Sequence, residues 1–200
     1  DNAFLSFEAV PDKEGKKQDL SKETLAEDSG MAFIRRFHGK EQPTDEQIRR
    51  YIHHQEHNIR NIAAFKALGI NSGYIGWKSG GGKVRMNLVM EFLQHSDARV
   101  RRAMFGAILG KTDVINSEIF ALAIKAVKDP EESWWVKDAA LQIIGRGTAD
   151  QVLPHVDTLL PYLKHEEDWL KNAAITALTP VVADQRCYER VLPAVGDLVR

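Results

Sequence analysis

The chain has 200 residues, of which 44% are hydrophobic and 28% are charged, as in an ordinary soluble domain. Its 27 basic and 28 acidic side chains give a formal net charge of -1, so the basic excess of a dedicated nucleic-acid binder is missing. A single cysteine, Cys187, excludes an intramolecular disulfide and a cysteine-based zinc site. No apolar run is long enough to predict a membrane span, and none of these features identifies a compartment.

The first 43 residues differ from the rest of the chain. Residues 1–20 combine a few apolar side chains with a long polar run, which predicts an arm followed by a linker. Residues 21–43 form a predicted N-terminal helical extension, with a helix that starts near Ser21 and runs to about Phe37.

From Thr44 onwards the chain is repetitive. One motif returns four times, and its first residues lie 41, 36 and 34 positions apart: these are Ile59, Val100, Val136 and Leu170. Periods of this size are typical of helical solenoids, in which each repeat is one helix–turn–helix unit.

Capping residues divide the repeats into helices. Thr44 and Gln47 have the spacing of a capping box, and Gly69 is suited to end the helix that carries the first copy of the motif. The same reasoning predicts four helical pairs and a final helix, over residues 44–69, 84–110, 114–145, 150–180 and 186–200. The final helix carries apolar side chains with no second helix to cover them. Two interpretations stay open: this helix is a terminal cap, or the chain is a region of a larger protein, which is the one we expect.

Two features of these pairs resemble HEAT repeats. The segments Leu159-Leu160-Pro161-Tyr162-Leu163 and Val191-Leu192-Pro193-Ala194-Val195 are similar to the first helix of that family, including its proline. The second helices resemble the family in an acid followed four residues later by a base, which predicts ion pairs within Glu56/Arg60, Asp97/Arg101 and Glu167/Lys171. The resemblance covers residues 44–200 and implies an all-α fold, a right-handed, armadillo-like α-α superhelix. It implies little about function, because such arrays serve many tasks.

Tryptophans occupy equivalent positions in two neighbouring repeats. Trp135 and Trp169 each lie one residue before the repeated motif, so their indoles should form a short ladder with Trp134 beside it. Two interpretations stay open: the ladder is packing between repeats, or it is an aromatic anchor for a partner.

The HEAT resemblance also implies which helices face a partner. In that family the second helices line the concave side, which places these residues in the candidate surface: Arg102, Lys137, Asp138, Lys171 and Asn172. Arg101 is left out of that surface because the spacing predicts its pairing with Asp97. Trp77 lies in the glycine-rich segment 73–83, which is either a plain connection between repeats or a binding loop; in the second case Trp77 is a further candidate contact. That segment is no phosphate loop, since the first glycine of the pattern is replaced by Trp77.

Other chemical patterns in the sequence are weak. His53-His54-Gln55-Glu56-His57 matches an inverted zinc-protease motif, but His54 has counterparts in the turns of two other repeats, His95 and His165. We therefore expect turn histidines that bond backbone carbonyls or solvent. Trp134 and Asp138 resemble one pair used by HEAT-like DNA glycosylases, and this likeness is a single coincidence of spacing. The sequence predicts no catalytic residue, no cofactor and no metal site.

Three classes of function follow from the sequence. The first is a non-enzymatic scaffold that binds a protein or peptide. The second is a regulatory or accessory helical region of an enzyme, and the third is a protein that acts on nucleic acid. The even charge disfavours the third class.

Overall fold

A computed structural model describes residues 30–37, 41–70 and 82–196, and every regular element in these ranges is helical. The α-helices are α1 (Gly30–Phe37), α2 (Asp45–Tyr51), α3 (His57–Ala67), α4 (Met86–Leu93), α5 (Ala98–Leu109), α6 (Ser117–Lys128), α7 (Trp134–Ile144), α8 (Ala149–Val152), α9 (Val156–Leu159), α10 (Asp168–Leu178) and α11 (Tyr188–Gly196). Short 3-10 segments cover Thr112–Val114, Leu153–His155, Leu160–Lys164 and Thr179–Val181. None of the described helices is long and apolar enough to cross a membrane.

Several predictions fall outside the described residues. These are the arm over residues 1–20, the start of the predicted N-terminal helix, Trp77 with most of its loop, and the last four positions of the chain. Within the described residues, α1 packs on the first pair through Phe33, whose ring stacks on that of Tyr51 at 4.1 Å between centroids.

Local capping sets the start of α2 and the end of α3 where the sequence predicts them. Thr44 and Gln47 form the complete capping box, with the Gln47 N–H donating to Thr44 Oγ1 and the Thr44 N–H donating to Gln47 Oε1. At the end of the first pair, Gly69 has φ +68°, and a Cβ there would collide with the carbonyl of Gly82. Only glycine combines that backbone conformation with so close an approach, which explains why α3 ends there.

The first helix of the fourth pair is broken. The sequence predicts one helix over about residues 150–163, whereas the structure has α8 and α9, each followed by a 3-10 segment. Pro154 and Pro161 lie at the start of those 3-10 segments. A proline has no N–H to donate and its ring clashes with the preceding turn, so each one interrupts regular α-helix.

The second helices form a row, in which α3 contacts α5, α5 contacts α7, and α7 contacts α10. The first helices α2, α4 and α6 pack on α3, α5 and α7 respectively. The repeated motif supplies the contact surface, because its first residue is buried in every copy and small side chains follow it: Ala63, Ala64, Ala103, Ala139, Ala140, Ala173 and Ala174. The packing of α7 on α10 brings the residues just before their motifs, Trp135 and Trp169, into contact.

Candidate functional site

Two tryptophans stack across neighbouring repeats. Trp135 at the start of α7 and Trp169 at the start of α10 have centroids 4.8 Å apart and ring planes inclined by 11°. This is the ladder that their equivalent positions predict. The stack leaves Trp135 53% exposed, and Trp134 beside it is 46% exposed, whereas Trp169 is half-buried against the core. Large apolar rings held in place yet open to water are unusual on a folded surface.

Cationic side chains from the same row extend the ladder. The Arg102 guanidinium, on α5, lies 4.7 Å from the centroid of Trp135, so arginine and two indoles form three layers from three successive repeats. On α7 itself, Lys137 Nζ lies 4.5 Å from the centroid of Trp134. A cation–π contact contributes on the order of 0.5–1 kcal/mol at an exposed site and about 2 kcal/mol where it is desolvated. The contacts with Arg102 and Lys137 therefore favour the observed positions of Trp135 and Trp134.

His165 completes the cluster, in the turn that precedes α10. Its ring meets Trp134 edge to face at 4.6 Å, and its Nδ1 accepts the N–H of Glu167 at 3.1 Å. The Glu167 carboxylate in turn accepts Trp169 Nε1–H at 3.0 Å. We call Trp134, Trp135, Trp169, Arg102, Lys137 and His165 the tryptophan surface. It borders an open depression of about 900 Å³ that is also lined by Pro161, Lys164, Glu166 and Glu167.

The turn histidines act as backbone acceptors. Nδ1 of His54, His95 and His165 accepts the N–H of the residue two positions later, at 3.1, 2.9 and 3.1 Å. We expected these rings to bond carbonyls or solvent, and that expectation was wrong for Nδ1. The physical reason lies in the turn, where the start of the next helix leaves N–H groups without helical partners. An imidazole nitrogen can satisfy one of them.

In the first two copies of the motif, the arginine bonds the preceding turn. Arg60 Nη1 donates to the carbonyls of His54 and Gln55, at 2.6 and 2.5 Å. Arg101 Nη1 does the same to His95 and Ser96, at 2.5 and 2.9 Å. These bonds satisfy carbonyls at the turn. The lysines of the other two copies make different contacts, Lys137 with the Trp134 ring and Lys171 with Asp168.

The predicted ion pairs at a spacing of four do not form. Arg101 binds Glu132 through Nε at 2.7 Å and Nη2 at 2.6 Å, whereas Asp97 binds Arg99. Lys171 pairs with Asp168, three residues before it. Sequence reasoning missed Glu132, a buried carboxylate in the turn of residues 129–133 between α6 and α7. No spacing pattern in the sequence connects Glu132 with Arg101, which lies 31 residues before it.

The residues predicted on the second helices divide by exposure. Arg102 and Asn172 are exposed, while Asp138 and Lys171 are half-buried. Lys137 is only 3% exposed, which corrects its placement on an open surface: its stem is covered and its ammonium lies over Trp134. Burial raises the pKa of Asp138, whose carboxylate accepts two hydrogen bonds from Gln142 Nε2 at 3.2 Å.

A second buried cation lies far from the tryptophans. Lys66 on α3 is fully buried, and its Nζ donates to the carbonyl of Glu41 at 3.1 Å. Burial lowers the pKa of Lys66, and the nearby Arg85 guanidinium lowers it further. Arg85 itself pairs with Asp45 at 2.7 Å and donates to the carbonyls of Pro43 and Lys66. These contacts join the segment before α2 to α3, and no pattern in the sequence indicated them.

The zinc-protease pattern is divided by a turn. Helix α2 ends at Tyr51 and α3 begins at His57, so His53 and His57 do not share one helix face. His53 instead packs against His95 of the next repeat, at 4.7 Å between centroids. In the part of the chain that the structure describes, no group of three histidine, cysteine or acidic side chains is placed to hold a metal ion.

Comparisons with known proteins do not assign this chain to a group. No protein-family model matches it, and no curated protein or solved structure matches it either. The function has to be argued from the molecule itself. Its most distinctive surface is the tryptophan surface, where three repeats bring aromatic and cationic side chains together at one edge of the helix row.

Proposed function

We propose that this chain is a non-enzymatic binding module of the HEAT type, and that a protein or peptide partner binds at the tryptophan surface. The row α3, α5, α7, α10, with the first helices α2, α4 and α6 packed on it, is the order of contacts that an α-α superhelix requires. Its right hand is the one that the HEAT resemblance implies. In such an architecture a single edge collects one group of side chains from each repeat. A partner that lies along that edge contacts several repeats at once.

The observation that carries the proposal is the exposure of Trp134 and Trp135. Tryptophan and arginine dominate the energetics of protein interfaces, and an indole buries 150–250 Å² when it is covered. Here the stack with Trp169 and the contacts with Arg102 and Lys137 already hold the rings in place. The entropy cost of binding a partner is reduced to the extent that these contacts already favour one position of each ring.

The same contacts disfavour single-stranded nucleic acid as the ligand. Stacking of a base needs an open aromatic face. The Trp135 ring is already stacked on Trp169, and the Arg102 guanidinium lies over it. The chain also lacks a basic excess. What the surface offers is ring edges beside a depression, which suits apolar side chains of a peptide.

Peptide selection tests the proposal. A display library of random 12-residue peptides is selected on the immobilised chain, and the affinity of each enriched peptide is measured by fluorescence anisotropy. Replacement of Trp134 and Trp135 by alanine should weaken binding by about 30-fold or more, the effect of losing an interface hot spot of about 2 kcal/mol. Circular dichroism checks that the variants stay folded.

A matched control uses other exposed apolar side chains. Tyr188 and Leu192 on α11 are 46% and 42% exposed, close to the values of the tryptophans. Their replacement by alanine should change the same affinities by less than twofold. The proposal fails if no peptide is enriched, or if both double variants weaken binding equally.

A further inference from the structure

His165 is placed to couple the tryptophan surface to protonation. We propose that His165 is a proton-operated switch: the neutral ring holds Trp134 in its present position, and protonation releases it. The step adds one proton from solvent to Nδ1 and makes or breaks no covalent bond elsewhere. Imidazole is the side chain that most often changes charge near neutral pH in proteins, so the measurement spans pH 5 to 8.

The hydrogen bond at Nδ1 allows only the neutral ring. Nδ1 accepts the Glu167 N–H at 3.1 Å through its single lone pair. A proton on Nδ1 turns this acceptor into a donor that faces another donor, so the bond is lost. The new positive charge also lies at the start of α10, where the helix dipole repels cations. Protonation and the present ring position therefore exclude one another.

The charged ring has a destination nearby. The carboxylates of Glu166 and Glu167 line the same depression as His165 and attract an imidazolium. The cations that oppose its formation are Lys164, which lines the depression, and Lys137, whose ammonium lies on Trp134.

Two further contacts shape that movement. The Tyr162 ring lies 6.5 Å from the His165 ring. We expect Tyr162 to stay in place when His165 moves, because its hydroxyl donates to the carbonyl of Val127 at 2.6 Å. Movement of His165 towards Glu167 competes with the Trp169 Nε1–H for the same carboxylate. Both ends of the indole cluster thus respond to one proton.

His54 and His95, at the equivalent turn positions, provide a comparison for the proposed switch at His165. His54 and His95 accept the same type of backbone N–H. Only His165 has an indole against its ring among the ring contacts of the described residues. Asparagine suits these positions as a replacement, because its Oδ1 accepts a nearby backbone N–H and does not titrate. His165→Asn removes the titratable ring and keeps an acceptor for the Glu167 N–H. His95→Asn is the matched control.

Tryptophan fluorescence of the full chain between pH 8 and pH 5 tests the switch. The wild type should show one transition with the slope of a single proton. His165→Asn should lose at least about half of its amplitude, as should Trp134→Phe, and His95→Asn should keep it. The inference is overturned if His165→Asn titrates like the wild type, or if His95→Asn loses the transition to the same extent.

A second measurement needs no variant. In two-dimensional nuclear magnetic resonance spectra, the Glu167 amide proton signal should move upfield as its hydrogen bond to His165 Nδ1 is lost. The pH midpoint of this change should equal that of the fluorescence transition. An amide that does not move over this range contradicts the switch. Any effect of the proton on partner binding rests on the proposed function, whereas these two measurements use no partner. The switch and the binding proposal can therefore fail independently.

Discussion

Glu132→Gln is expected to be among the most damaging single changes of a charged residue in this chain. Glu132 makes two short bonds to Arg101 and a third to the Ser133 N–H at 2.8 Å, and only 5% of its side chain is exposed. Removal of one partner from a buried ion pair costs about 3–5 kcal/mol, because the other charge stays buried. Arg101 keeps its bonds to two carbonyls and is 19% exposed, which reduces the expected cost to about 2–4 kcal/mol.

A surface pair of the same geometry provides the control. Arg49 and Glu91 form a bidentate pair between α2 and α4, with bonds of 2.9–3.1 Å, and both side chains are more than 40% exposed. Glu91→Gln should therefore cost at most about 1 kcal/mol. Urea unfolding followed by circular dichroism measures both free energies of unfolding. The expected loss at Glu132 lowers the melting temperature by about 4–16 °C for a chain of this size.

Equal costs for Glu132→Gln and Glu91→Gln would refute the reasoning, since burial is the main difference between the two pairs. A double-mutant cycle with Arg101→Gln isolates the pair itself. We expect an interaction energy of about 1–3 kcal/mol between Arg101 and Glu132, within the range for residues in direct contact. A value near zero would mean that Glu132 stabilises the fold mainly by accepting the Ser133 N–H.

Three further changes test local features of the fold. Gly69→Ala should lower the free energy of unfolding by more than about 1 kcal/mol, because φ is positive there and the Cβ meets the Gly82 backbone; chemical denaturation measures it. His95→Ala should cost about 1 kcal/mol by leaving the Asp97 N–H without its acceptor, and His95→Asn should restore most of that loss in the same assay. The hydrogen bonds from Arg99 lower the pKa of Asp97 to about 2 from its ordinary 3.8, so this carboxylate stabilises the fold above about pH 4 and that contribution disappears as the pH falls through 2. In acid titrations Asp97→Asn should remove about 0.2–1 kcal/mol of this pH dependence, a small value because Arg99 is mostly exposed; an unchanged acid profile would contradict the assignment.

Part of the candidate site could be predicted from the repeat alone. Trp135 and Trp169 occupy the same position in successive repeats, and packed helices lie about 8–10 Å apart, so contact between two rings as large as indole follows from the period. The approach of Arg102 to Trp135 could not be predicted in this way. Arg102 occupies a different position within its repeat, so the contact depends on the actual rotation and offset of α5 against α7.

The wrong assignment of Arg101 shows where sequence spacing loses its power. A spacing of four permits an ion pair with Asp97 that contributes only a few tenths of a kcal/mol. Two nearby competitors outweigh it: Arg99 takes Asp97, and Glu132 reaches Arg101 from 31 residues away. The prediction that Lys137 is exposed was wrong for a related reason. Its burial depends on the orientation of the Trp134 ring, which spacing along the chain does not determine.

The sequence by itself determined the helical class, the positions of the repeats and the helix ends at Thr44 and Gly69. Those features depend on residues within one or two turns of each other, where spacing and backbone chemistry decide the outcome. Tertiary structure decided which charges pair, which cations lie on the indoles and which way the turn histidines face. Such contacts join residues far apart in the chain, and differences of about 1 kcal/mol choose among several possible partners.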